Sequence, residues 1–160
     1  MGTLLYAEDF PVGRTFEFDS YSVTAEEIKS FASEWDPMPF HTDERAAAKS
    51  AFGGLVASGA HTLAICIRLA SDAVVSRMAV IAGRGMSEAR FLQPVRPGMT
   101  LTGTMTITDQ QLDGPAKGEI ELRNELYDQD GQLVMSMVGE IILRRREPER
   151  EETAPTGGEI

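Results

Sequence analysis

Asp36 and His41 are the residues whose types and spacing point most directly to chemistry. They lie five positions apart in the segment Trp35-Asp36-Pro37-Met38-Pro39-Phe40-His41-Thr42-Asp43. The two prolines between them predict a stiff, non-helical segment, because proline fixes its own φ and disfavours the helical conformation in the residue before it. A carboxylate and an imidazole on a stiff loop can transfer protons. The chain has two histidines, so few residues compete with His41 for this role.

The same residues allow less specific interpretations. Asp-Pro is a common turn dipeptide, so Asp36 could serve only the turn, and His41 could be a structural histidine. Asp36, His41 and Asp43 could also bind a metal ion, since oxygen and imidazole donors suit several metals. We expect no metal, because His61 is the only other imidazole in the chain.

The composition predicts a single soluble domain. The chain has 160 residues, of which 42% are hydrophobic and 25% are charged, the balance of an ordinary globular protein. A net charge of −10 without a basic stripe argues against nucleic acid as a partner. Arg68 and Asp72 interrupt the most apolar stretch, so we expect no membrane span. The single cysteine, Cys66, and the absence of a signal-peptide pattern predict a cytoplasmic protein.

The chain divides into a domain and a tail. From about Arg144 the sequence has dense charge, Pro and Gly, and no apolar spacing. Such a composition cannot bury enough apolar surface to fold by itself. We therefore expect one domain over residues 5–145 and a flexible charged tail over residues 146–160.

The first third of the domain predicts one strand followed by helices. Residues 15–23 alternate with Phe16 and Phe18 on one face, as in a strand. Thr24-Ala25-Glu26-Glu27 has the pattern of a capping box and predicts a helix that continues to about Trp35. The alanine-rich stretch 43–49 predicts one or two helical turns.

The rest of the domain predicts a long helix and an antiparallel sheet. After the small-residue loop 52–59, residues 60–75 are apolar almost all the way round a helix, which indicates a buried helix. Alternating patterns and turn signals predict consecutive strands over 86–92, 100–108, 119–126 and 133–143. A curved antiparallel sheet wrapped around one long buried helix is the hot dog fold, of the α+β class.

Three sequence blocks resemble the MaoC-like dehydratases, the (R)-specific enoyl-CoA hydratase family of the hot dog superfamily. They are Asp36-Pro37-Met38-Pro39-Phe40-His41, Phe52-Gly53-Gly54-Leu55-Val56-Ala57-Ser58-Gly59 and Arg90-Phe91-Leu92-Gln93-Pro94-Val95-Arg96-Pro97-Gly98. They occur in the family's order. Met38 departs from the pattern, because many members carry Asn there, and it is where we expect substrate preference to differ.

The resemblance implies reversible addition of water to a trans-2-enoyl-CoA, giving an (R)-3-hydroxyacyl-CoA. Asp36 and His41 would hold the water and transfer its protons. Gly59 would donate a backbone N–H to the thioester oxygen, with Ser58 as the helix N-cap. The blocks also imply that Phe40, Phe52 and Gly53 contribute to substrate binding. No cofactor is expected, because coenzyme A arrives as part of the substrate.

Two other functions fit the same fold, because a fold does not by itself determine an activity. One is a hot dog acyl-CoA thioesterase, although the Asp–His pair is not the signature of that class. The other is a non-catalytic protein that binds acyl thioesters. In each case we expect a homodimer or higher homo-oligomer, since a lone hot dog sheet exposes its edges and one apolar face.

Overall fold

The computed structural model describes residues 2–147, and it places every strand of the domain in one antiparallel sheet. The strands are β1 (Thr15–Ser22), β2 (Val80–Phe91), β3 (Thr100–Gln111), β4 (Lys117–Tyr127) and β5 (Leu133–Arg144), in the spatial order β1-β3-β4-β5-β2. The predicted strands are confirmed, although β2 begins six residues before the alternating pattern that indicated it. Its early residues include two glycines, Gly83 and Gly85, which carry no alternation signal.

Within residues 2–147 the helices are α1 (Ala25–Trp35), α2 (Pro39–Thr42), α3 (Glu44–Ala48) and α4 (Gly59–Ala73), together with short 3-10 helices at Ala7–Asp9 and Val75–Arg77. The capping box that begins α1 is confirmed. Thr24 Oγ1 accepts from the N–H of Glu27 at 3.2 Å, and Glu27 Oε1 accepts from the N–H of Thr24 at 3.0 Å. Two orphan N–H groups are thereby satisfied at the point where the chain leaves β1.

The long helix α4 packs against β1, β3 and β4 with one face. That face carries His61, Thr62, Ile65, Cys66, Leu69 and Ala70. The opposite face is exposed in the single chain, with Ile67 47% exposed and Arg68 paired to Asp72 on the surface. The prediction of a long helix within a curved antiparallel sheet is therefore confirmed, but α4 is buried along one face rather than all round.

Strand β2 differs from its neighbours because each of its twelve residues is exposed. It pairs only with β5, and its register against β5 shifts at three places. By contrast, β5 lies between β4 and β2 and is buried along most of its length, as its sequence predicted. The free edge of the sheet is thus long and carries apolar side chains such as Ile81, Met86 and Phe91.

Two arginines tie the end of the sheet to the start of the domain. Arg145 Nε donates to Glu8 at 2.8 Å, and Arg146 Nη2 donates to Asp9 at 2.7 Å. The ordered part of the domain therefore includes residue 146. The rest of the predicted tail lies outside the described residues, apart from residue 147. Within 2–147, no helix is both long enough and apolar enough to cross a membrane.

Candidate active site

The segment between α1 and α3 is partly helical, contrary to the prediction from its two prolines. Asp36 ends α1, and its backbone N–H donates to the carbonyl of Ala32. Pro39 then occupies the first position of α2, where a proline is tolerated because that N–H would have no intrahelical acceptor. Only residues 36–38 and Asp43 are non-helical. The turn places His41 at the inner end of the segment, with 7% of its surface exposed.

The ring of His41 is held by a backbone carbonyl. His41 Nδ1 lies 2.6 Å from the carbonyl oxygen of Val56. Because a carbonyl only accepts, Nδ1 must carry the proton, and in the neutral ring Nε2 then has a free lone pair. The N–H of the same peptide unit, that of Ala57, donates to the carbonyl of Val95 at 2.8 Å. The peptide that orients His41 is therefore fixed on both of its sides.

Asp36 lies beside the free nitrogen of His41. Its Oδ2 is 3.5 Å from His41 Nε2 and accepts a hydrogen bond from Ser58 Oγ at 2.7 Å. The same Ser58 oxygen accepts from the N–H of Ala60 at 3.2 Å, so Ser58 also caps α4 as predicted. One fully buried hydroxyl thus connects the carboxylate to the start of the long helix.

Gly59 is the first residue of α4, and its N–H has no acceptor among the described residues. The first N–H groups of a helix lack intrahelical acceptors and lie at the positive end of its dipole. A side chain at this position would press against the ring of Phe91. A Cβ atom on Gly59 would lie 3.1 Å from Cε2 and Cζ of that ring. Glycine therefore leaves the free N–H approachable while Phe91 packs beside it.

A cleft of about 340 Å³ opens at this point. His41, Gly59, Thr62 and Gln93 contribute polar groups to its lining, and the rings of Phe40, Phe52 and Phe91 form apolar walls. Phe40 and Phe52 are in contact, with ring centroids 5.3 Å apart. An imidazole with a free nitrogen and an unpaired N–H in an apolar cleft can move protons and stabilise an anion on a bound molecule.

The predicted substrate-binding residues divide between the cleft and its surroundings. Phe40 and Phe52 line the cleft as expected, whereas Gly53, and also Asp36 and Ser58, lie outside the lining. Gly53 is exposed and has a φ of +69°, so it serves the turn after Phe52. Arg96 Nη2 donates to the carbonyl of Phe52 at 2.7 Å and holds this turn near the cleft.

The metal-binding alternative does not assemble among residues 2–147, where no group of three potential ligands comes together. Asp43 instead caps α3, its Oδ1 accepting from Ala46 at 2.8 Å. His61 stacks on Phe31 at 4.6 Å, away from the pair. Burial raises the pKa of the Cys66 thiol to about 12, so this residue is not a thiolate nucleophile at neutral pH.

Two parts of the site were not predicted. The carbonyl of Val56 is a backbone atom and leaves no mark in residue type. Phe91 lies in one of the blocks that carry the resemblance, but its apolar side chain suggested a strand residue and nothing more. Only its position at the end of β2, opposite Gly59, shows that it faces the cleft.

Comparisons with known proteins agree with this geometry. The family model for the MaoC like domain matches residues 9–128. YdeM from Bacillus subtilis (strain 168) is 30% identical over 138 residues, which cover 86% of this chain and 98% of YdeM. The crystal structure of a MaoC-like dehydratase from Rhodospirillum rubrum is 34% identical and superimposes with a TM-score of 0.81. The match covers 90% of this chain and 99% of that one.

A more distant structure shows the same fold. The unliganded (R)-hydratase from Pseudomonas aeruginosa is 22% identical, and the match covers 94% of each chain with a TM-score of 0.70. At that identity the likeness extends to the architecture alone. It supports the assignment of the curved sheet and α4 to the hot dog fold.

Proposed function

The chain belongs to the MaoC-like family of dehydratases and hydratases, and from this we propose that it adds water reversibly to a trans-2-enoyl-CoA. The product would be an (R)-3-hydroxyacyl-CoA. The observation that carries the proposal is the arrangement of Asp36 Oδ2 3.5 Å from His41 Nε2. Each of the two groups has its own fixed hydrogen-bonding partner. His41 shares the cleft with the free N–H of Gly59, whereas Asp36 lies outside the cleft's lining and reaches the start of α4 through Ser58.

The orientation of the pair suits the activation of water. Since Val56 keeps the proton of neutral His41 on Nδ1, the Nε2 lone pair faces Asp36. A water molecule can donate one hydrogen bond to each of these acceptors and present its oxygen to the alkene. Water is a poor nucleophile, and removal of its proton during attack lowers the barrier.

The reaction forms a C–O bond at C3 and a C–H bond at C2. The pair Asp36 and His41 accepts one proton from water as the oxygen attacks C3, and it returns one proton to C2. We assign these steps to the pair rather than to either residue, because closely coupled groups titrate together. All atoms come from water and the enoyl thioester, so the proposed reaction needs no cofactor besides the coenzyme A of the substrate.

Gly59 would stabilise the charge that develops on the thioester oxygen. Attack at C3 moves electrons toward that oxygen and gives an enolate-like state. A backbone N–H at a helix start is a preorganised donor for this charge, and such donors contribute roughly 100-fold or more to rate. Phe40, Phe52 and Phe91 would exclude solvent from the acyl group.

The test is hydration of a panel of trans-2-enoyl-CoA thioesters. The reaction is monitored through the loss of the ultraviolet absorbance of the conjugated double bond. The variant Asp36→Asn removes the charge of the carboxylate but keeps its shape. We expect it to lower kcat by about 100-fold to 10,000-fold. Asp43→Asn is the matched control, because Asp43 belongs to the same segment but only caps α3; we expect it to keep near wild-type rates.

Two results would contradict the proposed reaction. The first is the absence of hydration across the panel, or full activity in Asp36→Asn. The second is release of free coenzyme A, measured with a thiol-reactive dye, because thiol release indicates a thioesterase rather than a hydratase. Stabilisation of the fold by acyl-CoA without turnover would instead favour a non-catalytic binding protein.

We also propose that the protein forms a homodimer through β2. This strand is exposed along its whole length, and an unpaired, apolar sheet edge is a ready template for another strand. If two copies of β2 pair antiparallel about Met86, Arg84 of each copy lies opposite Glu88 of the other. Within one chain Arg84 pairs with Glu119 and Glu88 pairs with Arg123, so this register would bring existing ion pairs together across the edge.

The dimer is tested by light scattering. We expect a mass of two chains for the wild-type protein, or a multiple of it. We expect a mass of one chain for Met86→Pro, because proline at the centre of an edge removes an N–H and disfavours pairing. A wild-type mass of one chain would contradict the proposed dimer without affecting the proposed reaction.

A further inference from the structure

Asn124 is an exception to the pattern of the strand that carries it. The inward-facing residues of β4 are Gly118, Ile120, Leu122, Asn124 and Leu126, and all of them are buried. Asn124 is the one polar side chain in this row. It lies in register between Met105 of β3 and Met137 of β5, so its flanking neighbours are also apolar.

The amide of Asn124 makes no hydrogen bond with the described residues. Only 4% of the residue is exposed, and its Oδ1 is fully buried without a donor. A buried polar group without a partner lowers the stability of the fold. Most such groups in folded proteins are paired, so an unpaired one that lines a cleft is a candidate to bind a ligand group.

Asn124 lines a second cleft, of about 270 Å³. Its other walls are mostly apolar and include Ile67 and Ala70 of α4, Met86 of β2, and Met105 and Met137. A mostly apolar cleft with a single well-placed amide is the usual form of a site for a small organic group. The amide can donate and accept at once, which suits a hydroxyl or carbonyl better than a charged group.

Both clefts lie between α4 and β2, and we name the stretch from one to the other the seam. Thr62 and Phe91 line the first cleft, whereas Ala70 and Met86 line the second. Thr62 and Ala70 are eight residues apart, which is about 12 Å along a helix. Phe91 and Met86 are five residues apart, which is about 16 Å along a strand. The separation is that of the two ends of a medium-length acyl chain.

We propose that the seam holds the acyl chain of the substrate and that Asn124 recognises a hydroxyl or carbonyl group near its distal end. This inference rests on the proposed hydratase function. With the thioester oxygen at Gly59, a chain that follows the seam brings its last carbons to Asn124. The enzyme would therefore favour medium-chain enoyl thioesters with an oxygenated end over plain hydrocarbon chains.

This preference depends on whether the amide of Asn124 has a hydrogen-bonding partner when the substrate is bound. A hydroxyl or carbonyl that reaches Asn124 satisfies a group that the protein leaves unpaired. A plain chain of equal length leaves it unpaired and also covers it. A site built to hydrogen-bond a substrate group disfavours the analogue that lacks the group. One hydrogen bond of about 1.4 kcal/mol corresponds to about tenfold in kcat/KM.

The experiment is a competition between two substrates in one reaction mixture. The ratio of the two hydrated products is then independent of the enzyme concentration. The protein receives equal amounts of trans-2-decenoyl-CoA and its 10-hydroxy derivative, and the two hydrated products are counted by mass spectrometry. We expect about tenfold more of the hydroxylated product. In Asn124→Leu, which matches the neighbouring leucines of β4, we expect the preference to disappear or reverse. Thr108→Val, on the exposed face of β3, should keep the wild-type ratio.

Several outcomes would overturn the proposal. A ratio near one in the wild-type protein, or an unchanged ratio in Asn124→Leu, contradicts recognition by Asn124. A change from dimer to single chain in Asn124→Leu would assign the amide to a contact between subunits instead. Hydration of trans-2-butenoyl-CoA but of neither long thioester would refute the seam alone, whereas no hydration of any thioester would refute the reaction itself. Asn124→Ala provides a second variant, with circular dichroism as the check of folding.

Discussion

The two histidines of this chain are equally buried but differently held. His41 is 7% exposed and His61 is 6% exposed. His41 has one nitrogen on the Val56 carbonyl and the other facing Asp36. His61 stacks on Phe31, and its Nδ1 has no hydrogen-bonding partner in the described part of the chain. Burial alone therefore does not distinguish a reactive histidine from a structural one.

The two rings differ in whether a hydrogen bond fixes their orientation and tautomer. A carbonyl on one side of His41 selects a single tautomer, so the opposite nitrogen has a defined role. His61 has no such contact, and its burial lowers the pKa of the imidazole because a low-dielectric environment disfavours the cation. The first ring has the orientation that the proposed proton transfer needs, whereas the second packs between α1 and α4 and its burial favours the neutral form.

The sharpest test of this comparison replaces each ring by the same amide. We expect His41→Gln to lower kcat for enoyl-CoA hydration by about 100-fold to 10,000-fold, because general acid–base catalysis is lost. We expect His61→Gln to change kcat by no more than about threefold, within the range of indirect effects. The two variants differ in position alone. Equal losses of activity in both variants would contradict the conclusion that His41 takes part in the reaction and His61 does not.

A smaller effect is expected when the support of Asp36 is removed. Ser58→Ala takes away a hydrogen bond to a charged group, worth about 1.5–3 kcal/mol, so kcat should fall about 10-fold to 100-fold. The same change removes the cap of α4 and should lower the free energy of unfolding by about 1 kcal/mol. Ser58→Thr keeps the hydroxyl and should restore much of both quantities. If Ser58→Ala loses stability but keeps its kcat, the role of Ser58 is to cap α4 and not to support Asp36.

A third effect concerns the close approach of the Phe91 ring to Gly59. In Gly59→Ala the new methyl group would lie 3.1 Å from the ring of Phe91, and such overpacking typically costs about 1–3 kcal/mol. We expect a lower denaturation midpoint and a higher KM. The double variant Gly59→Ala with Phe91→Leu, which removes the ring atoms in question, should recover stability. If the double variant stays as unstable as Gly59→Ala, contact with the ring of Phe91 is not the cause of the lost stability.

The smallest expected effect is the pH dependence of stability from His61. Its folded-state pKa lies below the ordinary value of 6.5, so the native protein binds this proton less readily than the unfolded chain. The contribution of neutral His61 is fully present above about pH 6.5 and is lost as the pH falls through the folded-state pKa. Thermal unfolding between pH 7 and pH 5 should show a shallower decline in His61→Gln. An identical decline would contradict this assignment.

The sequence predicted the parts of the fold and site that depend on side-chain type and spacing. Thr24 and Glu27 form the expected capping box because both members act through their own side chains. Asp36, His41 and Ser58 come together as the resemblance implied. The apolar alternation of β3 and β4 indicated correct strands, because each has an inner face against the core, and β5 was indicated by apolar residues on much of both faces.

The parts that escaped prediction depend on the backbone or on long-range packing. Pro39 begins a helical turn, because proline is compatible with the first helical position as well as with a stiff loop. The exposed face of α4 was not predicted, since an apolar composition does not show which side of a helix has a neighbour. Phe91 and Gly59 are distant in the sequence, and only the pairing of β2 with β5 brings them together.

The carbonyl that orients His41 has a consequence for how the protein tolerates substitution. Every L-residue at position 56 would supply the same oxygen, so a scan of side chains there would report packing and leave the orientation of the imidazole intact. The vulnerable position is the next one, because Ala57 contributes the N–H that anchors the peptide to Val95. Proline at 57 has no such N–H. The orientation of the imidazole therefore depends on the peptide between residues 56 and 57 and not on the type of side chain at position 56.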